Sequence, residues 1–128
     1  MIARIQFPAA LFAFVIAGFV ITMTPVFAHH SLAMYDMSNP VTVKGVLERL
    51  EWTNPHAYLY LSVKNTRGNV EEWVIEIDRP DFLKKNGWTS STVKPGDIIA
   101  CTGGRAKTGA RTMRCTMVEL ASGQKLRS

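Results

Sequence analysis

Three histidines are the side chains of this sequence best suited to chemistry, and they fall in two places. His29 and His30 follow an apolar N-terminal stretch, and His56 follows an Asn54-Pro55 turn signal. A chain that starts at His29 offers its α-amine and its imidazole to one metal ion, and an imidazole from His30 or His56 completes three nitrogen ligands. Such ligands suit Cu(II), with Ni(II) and Zn(II) as lesser candidates. The sequence therefore predicts a copper site at these histidines.

Neighbouring residues fit this prediction. The set of three nitrogens resembles the histidine brace of copper proteins, and Met34 and Met37 would add soft thioether ligands for Cu(I). In the expected hairpin register Asp78 faces His56, where its carboxylate would orient the imidazole. The plainer interpretation is that the two leading histidines are only a polar chain start and that His56 makes an ordinary surface contact.

Two tyrosines and a basic loop indicate a different function. Tyr58 and Tyr60 share the outward face of the second predicted strand, where aromatic rings can stack on a glycan. Arg105, Lys107 and Arg111 lie in a predicted loop without acidic residues, which favours an anionic envelope component or a partner protein. The alternative function is therefore a metal-free interaction module, although such tyrosines and loops also occur without a ligand. Glutamates expected on the tyrosine face argue against nucleic acid.

The N-terminal 28 residues have the pattern of a cleaved signal peptide. One positive charge precedes an apolar run over residues 7–22, and Val26 and Ala28 supply the small residues that signal peptidase requires. The alternative is a membrane anchor, which needs about 20 apolar residues. Since no second apolar run follows, we expect a bacterial protein, periplasmic or secreted, that begins at His29 and has no stable membrane span after cleavage.

Export changes the interpretation of the two cysteines. In an oxidising compartment Cys101 and Cys115 can pair, and the disulfide would close a loop of about 15 residues, worth about 3 kcal/mol in the chain-entropy model. Met113 and Met117 are expected on the same face of the last strand as Cys115. This set could hold Cu(I), but an apolar face of this kind is more typical of packed core.

Composition excludes several classes of protein. With 47% hydrophobic and 20% charged residues the chain is expected to fold, and its formal net charge of +5 is too small to indicate a nucleic-acid binder. The sequence contains no Gly-x-Ser-x-Gly elbow, phosphate loop or Cys-x-x-Cys motif. No catalytic residue is predicted, and a redox reaction at bound copper is the only catalysis left open.

Alternating hydrophobicity predicts five strands and one short helix. Three strands (41–52, 56–64, 70–78) precede a helix at 80–85, and two strands (97–102, 112–120) follow it. Gly45 interrupts the alternation of the first strand and suggests a bulge. In the third strand Trp73, Ile75 and Ile77 are predicted inward, with Glu72, Val74 and Glu76 outward in water.

This order is that of a small all-β, five-stranded, OB-like Greek-key barrel with one short helix between strands 3 and 4. A small β-sandwich is the alternative. The expected organisation is a signal peptide (1–28), an extended N-terminal lead (29–40), the barrel domain (41–120) and a polar C-terminal tail (121–128).

Several motifs also resemble a family of small exported bacterial proteins classed as a domain of unknown function. The shared features are a His-His-Ser start, the Glu51-Trp52-Thr53-Asn54-Pro55-His56 stretch, the Gly87-Trp88 pair, the Lys94-Pro95-Gly96-Asp97 turn and the closing Gly123-Gln124-Lys125-Leu126. The resemblance spans the expected mature chain and implies export and a shared site around the histidines. Cys101 and Cys115 depart from it, because small or apolar residues are expected there.

Overall fold

The computed structural model describes residues 32–128. Six strands and one helix follow one another: β1 (Tyr35–Glu51), β2 (Tyr58–Lys64), β3 (Val70–Glu76), α1 (Pro80–Lys85), β4 (Ile98–Ala106), β5 (Thr112–Leu120) and β6 (Lys125–Arg127). The predicted bounds of the helix and of the 112–120 strand are confirmed.

The strands form one sheet that closes on itself. Its order is β3-β2-β1-β4-β5-β6, and β3 also pairs with β5. All neighbours are antiparallel except β3 and β5, which run parallel over Val74–Thr112, Ile75–Met113 and Glu76–Arg114. This short parallel contact closes a five-stranded barrel, so the OB-like prediction is confirmed over the β-sandwich alternative.

The barrel interior is filled by side chains at alternating strand positions. The predicted inward residues of β2 and β3 are buried, among them Leu59, Leu61 and Ile75. Each such side chain contributes about 1.5–3 kcal/mol relative to exposure. Among the described residues, the core cluster lies between Val43 and Leu126.

Turn chemistry agrees with the sequence at two connections. Gly96 has φ +93° and follows Pro95, while Asp97 N donates to Lys94 O at 3.1 Å, as a type II turn requires. In the β2–β3 hairpin, Gly68 has φ +83° and Asn65 Oδ1 accepts from the amide of Asn69. Both turns fix the direction of the strands that follow.

Strand β1 differs from its prediction in two ways. It begins at Tyr35 rather than residue 41, because the chain resumes pairing with β4 beyond a register shift between Asp36 and Val41. The predicted bulge at Gly45 is wrong, since the β1–β2 shift lies between Leu47 and Arg49. A Cβ at Gly45 would lie 2.6 Å from Ser62 O, so glycine serves a close backbone approach there.

Strand β4 runs farther than predicted because two glycines continue it. A Cβ on Gly103 would lie 2.0 Å from Arg114 O, and one on Gly104 would lie 2.5 Å from Met37 Sδ. The β4–β5 register also shifts between Thr102 and Gly103. As a result Val118 is buried and Met117 leaves the face predicted for it.

The chain after Leu120 is not only a polar tail. It contains β6, which pairs with β5 and buries Leu126. Trp88 is buried and its Nε1 donates to Arg127 O at 2.7 Å. The tail therefore extends the sheet beyond β5 and holds the Trp88 side chain.

The predicted disulfide is absent: Cys101 and Cys115 are both free and buried. Cys101 lies opposite Val118 and Cys115 lies opposite Gly103, so the cysteines are diagonal neighbours. Diagonal Cα atoms are about 7–8 Å apart, whereas disulfides usually need about 4.4–6.8 Å. A hydrogen bond to Cys115, together with burial, raises the pKa of Cys101 well above its ordinary value.

Candidate functional site

Glu76 is a carboxylate buried where the barrel closes, with its side chain 8% exposed. Alternation points it outward, and the sequence predicted a wet face there. That prediction is wrong because β5 lies beside β3 at this position, with Arg114 directly opposite Glu76. Arg114 lies between two inward residues of β5, so its side chain also points outward and meets the carboxylate.

Three side chains from separate elements converge on Glu76. Tyr35 Oη, from the start of β1, donates to Oε2 at 3.1 Å. His56 Nδ1, from the β1–β2 connection, lies 3.1 Å from Oε1. Arg114 Nη1 lies 3.8 Å from the same Oε1. The carboxylate therefore joins the first strand to the only histidine within the described residues.

The β1–β2 connection holds His56 in place through its backbone. The Asn54–Pro55 peptide bond is cis, and Thr53 Oγ1 donates to His56 O at 3.0 Å. The next residue, Ala57, exchanges backbone hydrogen bonds with Ile77 and Asp78 of the strand end that carries Glu76. With Nδ1 against the carboxylate, Nε2 is the ring nitrogen left for a ligand.

Asp78 does not contact His56 as predicted. Its Oδ2 accepts from Arg114 Nη2 at 2.9 Å instead. The predicted register is correct, since Tyr58 pairs with Glu76. The imidazole, however, reaches the diagonal carboxylate rather than the one directly opposite, and the guanidinium holds Asp78 away from it.

The surroundings favour the neutral form of the nearby tyrosines. Burial raises the pKa of Tyr35, and the charge of Glu76 adds to that effect against a lowering hydrogen bond from Thr112. Burial also raises the pKa of Tyr58, and Glu76 again adds to the shift. Both phenols therefore stay protonated and can donate at neutral pH.

The other predicted metal ligands divide into two groups. His29 and His30 lie outside the described residues. Met34 and Met37 flank Tyr35 and are exposed at 56% and 38%. Within residues 32–128 no three His, Cys, Asp or Glu side chains are grouped to hold a metal ion. A metal ion on His56 would therefore need ligands from earlier in the chain.

Two residues of the alternative function, Tyr60 and Arg111, are engaged with other side chains. The Arg49 guanidinium lies 3.3 Å from the Tyr60 ring centroid, and Tyr60 Oη donates to Glu51 at 2.9 Å. Arg111 Nε pairs with Glu71 Oε2 at 3.1 Å. Tyr58 lies beside the buried Glu76 rather than on an open stacking surface.

Arg105, near the end of β4, and Lys107, in the loop between β4 and β5, are exposed. Arg105 donates to Gly109 O and lies 5.0 Å from the Trp73 ring centroid. The backbone amide of Lys107 donates to Met34 O. The loop is thus tied to the residues that precede β1.

Tyr35, Glu76 and Arg114 were not among the site residues predicted from the sequence. One signal could have found the last two: in an OB-like barrel the third and fifth strands run side by side. Outward residues of opposite charge on those strands, Glu76 and Arg114, could then have been paired.

Comparison with known families adds one finding. The sequence model of DUF6152, a family of unknown function, matches residues 18–114. The chain belongs to the DUF6152 family. The matched region of this DUF6152 member includes all three histidines and every residue of the Glu76 cluster. No curated protein matches the sequence. No helix among residues 32–128 is long and apolar enough to cross a membrane.

Proposed function

We propose that this protein is an exported, periplasmic metal-binding protein that holds one transition-metal ion, with copper the best fit. His56 Nε2 is one ligand, and His29, with its α-amine, and His30 supply the others. The observation that carries the proposal is the contact of His56 Nδ1 with the buried carboxylate of Glu76. Metal-binding histidines commonly engage a carboxylate through the second ring nitrogen, which fixes the tautomer and makes the free nitrogen more basic.

The position of Tyr35 supports a role for the N-terminal histidines. Tyr35 is bonded to the same carboxylate as His56. His29 is six residues earlier, and an extended chain spans about 3.3–3.6 Å per residue. The first histidine is therefore tethered within about 20–22 Å of the Cα atom of Tyr35, whose hydroxyl shares the Glu76 carboxylate with the His56 imidazole.

The charge balance of the cluster also favours a cation. Two carboxylates, Glu76 and Asp78, face one guanidinium, Arg114, and an imidazole that binds a metal ion adds no charge of its own. A partly buried site with excess negative charge is stabilised by a bound cation, since buried charges need partners. The exposed thioethers of Met34 and Met37 would suit Cu(I) if the ion is reduced.

The proposed role is metal handling without catalysis. The alternative, a metal-free module that binds a glycan, an envelope component or a partner protein, would use Tyr58, Tyr60 and the basic loop. It would require Arg49 to leave the Tyr60 ring, which costs a cation–π contact.

The test is metal content and Cu(II) EPR on protein exported with a verified His29 N-terminus. Three variants accompany it: one extra alanine before His29, His56→Ala, and Ser90→Ala as an exposed control. We expect near-stoichiometric copper with a nitrogen-rich spectrum in the wild type and the control, and loss of that spectrum in the first two variants. Weak copper uptake that neither change affects would refute the proposal, provided thermal unfolding shows that all variants fold.

A further inference from the structure

One end of the barrel carries both the β2–β3 hairpin loop (65–69) and the β4–β5 hairpin loop (107–111), and we call it the hairpin end. The two loops come together because β3 and β5 run parallel, with Val74 beside Thr112. Each loop precedes that pair by a few residues. The Arg111–Glu71 ion pair at 3.1 Å joins the start of one strand to the start of the other.

Large apolar side chains are exposed at the hairpin end. Val70, the first residue of β3, is 65% exposed, and Met34 and Leu32 are 56% and 53% exposed. Met34 belongs to this end because its carbonyl accepts from the amide of Lys107. These three are the most exposed of the large hydrophobic residues within 32–128. Exposed apolar groups gathered at one place mark an interaction surface more often than scattered ones do.

Basic side chains surround these apolar ones. The exposed basic residues of the hairpin end are Lys64, Arg67, Arg105, Lys107 and Arg111. Three acidic residues, Asp36, Glu71 and Glu72, accompany them. Glu71 is already paired with Arg111, Asp36 accepts from Asn39, and Glu72 is exposed. Lys64, Arg67 and Lys107 form no ion pair within the described residues. The hairpin end therefore has excess positive charge beside exposed hydrophobic groups.

We propose that the hairpin end docks on an anionic lipid bilayer surface. Basic heads attract anionic lipid headgroups while apolar side chains enter the boundary between headgroups and acyl chains, and both are present here. A soluble polyanion would use the charges but gain nothing from Val70 and Leu32.

The test measures partition of the protein, exported with a verified His29 N-terminus, onto phosphatidylcholine vesicles with and without phosphatidylglycerol. Lys64→Gln, Arg67→Gln and Lys107→Gln are combined in one variant. A matched variant combines Lys44→Gln, Lys84→Gln and Lys85→Gln, which remove the same charge elsewhere. Each basic residue near an anionic bilayer changes the partition coefficient by about fivefold. We therefore expect about a hundredfold loss in the first variant and little change in the second.

A second pair of variants tests the apolar part. Leu32→Ser with Val70→Ser should weaken vesicle binding several-fold, whereas Val46→Ser with Ile98→Ser, also exposed, should not. Circular dichroism checks that all variants fold. Equal binding to neutral and anionic vesicles, or equal loss in both charge variants, would overturn the proposal. The proposal would also be overturned if the protein bound sulfated dextran as tightly as vesicles and the Leu32 and Val70 substitutions had no effect. The surface would then recognise charge alone.

Discussion

Replacing Glu76 by glutamine changes one charge at the point where Tyr35, His56 and Arg114 meet. The side chains have nearly the same volume, so packing is preserved. Hydrogen bonds to a charged acceptor contribute about 1.5–3 kcal/mol and neutral ones about 0.5–1.5 kcal/mol, so the bonds from Tyr35 and His56 lose about 1 kcal/mol each. Arg114 also loses one of its two carboxylate neighbours. We expect the free energy of unfolding to fall by about 3 kcal/mol.

The same substitution should alter the histidine. A carboxamide keeps only one acceptor oxygen, whereas Tyr35 and His56 face different oxygens of the Glu76 carboxylate. When the oxygen accepts from Tyr35, the amide nitrogen faces His56 Nδ1, and the imidazole proton moves to Nε2. Nε2 is the proposed metal ligand, so copper affinity should fall about 10–100-fold.

The assays are urea unfolding at pH 7.5, ¹⁵N NMR of the His56 ring and copper titration. Glu72→Gln is the matched control, because Glu72 lies on the same face of β3 and is exposed. A Glu76→Gln protein as stable as the Glu72→Gln protein would refute the account of the buried cluster. Unchanged ¹⁵N shifts and copper affinity in a destabilised protein would instead refute the orienting role of the carboxylate.

Three further predictions test other features. Gly104→Ala should lower the free energy of unfolding by about 1–3 kcal/mol through overpacking, because its Cβ would lie 2.5 Å from Met37 Sδ and 2.8 Å from Asp36. Chemical unfolding measures this loss. An unchanged free energy would contradict the close approach of β1 and β4. Burial raises the pKa of Tyr35 above 10.0. The contribution of its protonated phenol to the free energy of unfolding should therefore be fully present below about pH 10 and should decline at higher pH, because the unfolded chain loses the proton first. When Tm is measured against pH, Tyr35→Phe should make the decline above about pH 10 less steep. An unchanged slope would count against a raised pKa of Tyr35. Finally, Cys101 and Cys115 should resist a thiol reagent in the folded protein and take up two equivalents in denaturant, whereas no uptake after unfolding would indicate a disulfide.

Local patterns in the sequence were enough to predict most of the barrel. Clean alternation in β2 identified the buried face that includes Leu59 and Leu61. The Pro95-Gly96 pair specified its turn, and Pro80 with Gly87 bounded the helix. These signals depend on residues close together in the chain, so one sequence carries them.

The site depends on contacts between distant residues, which local patterns do not contain. Burial of Glu76 follows from the parallel pairing of β3 with β5. The position of Tyr35 follows from the pairing of β1 with β4 on the N-terminal side of Pro40. The mainly polar residues 36–40 show no strand alternation, so the sequence pattern does not predict this part of the strand. The partner of His56 was missed because a diagonal neighbour competes with the opposite one across the sheet. Each of these outcomes is decided by barrel closure.

The β3–β5 contact spans only Val74 to Glu76, and the same three positions carry the carboxylate of the candidate site. The shortest pairing of a barrel is the place where it opens most readily by local fluctuation, and amide hydrogen exchange reports such openings. A ligand that binds only the closed form stabilises it in proportion to the logarithm of its concentration over Kd. Occupancy of the site and the population of the open barrel are therefore two measures of one equilibrium, and the backbone amide of Val74, bonded to Arg111 O, is placed to report both.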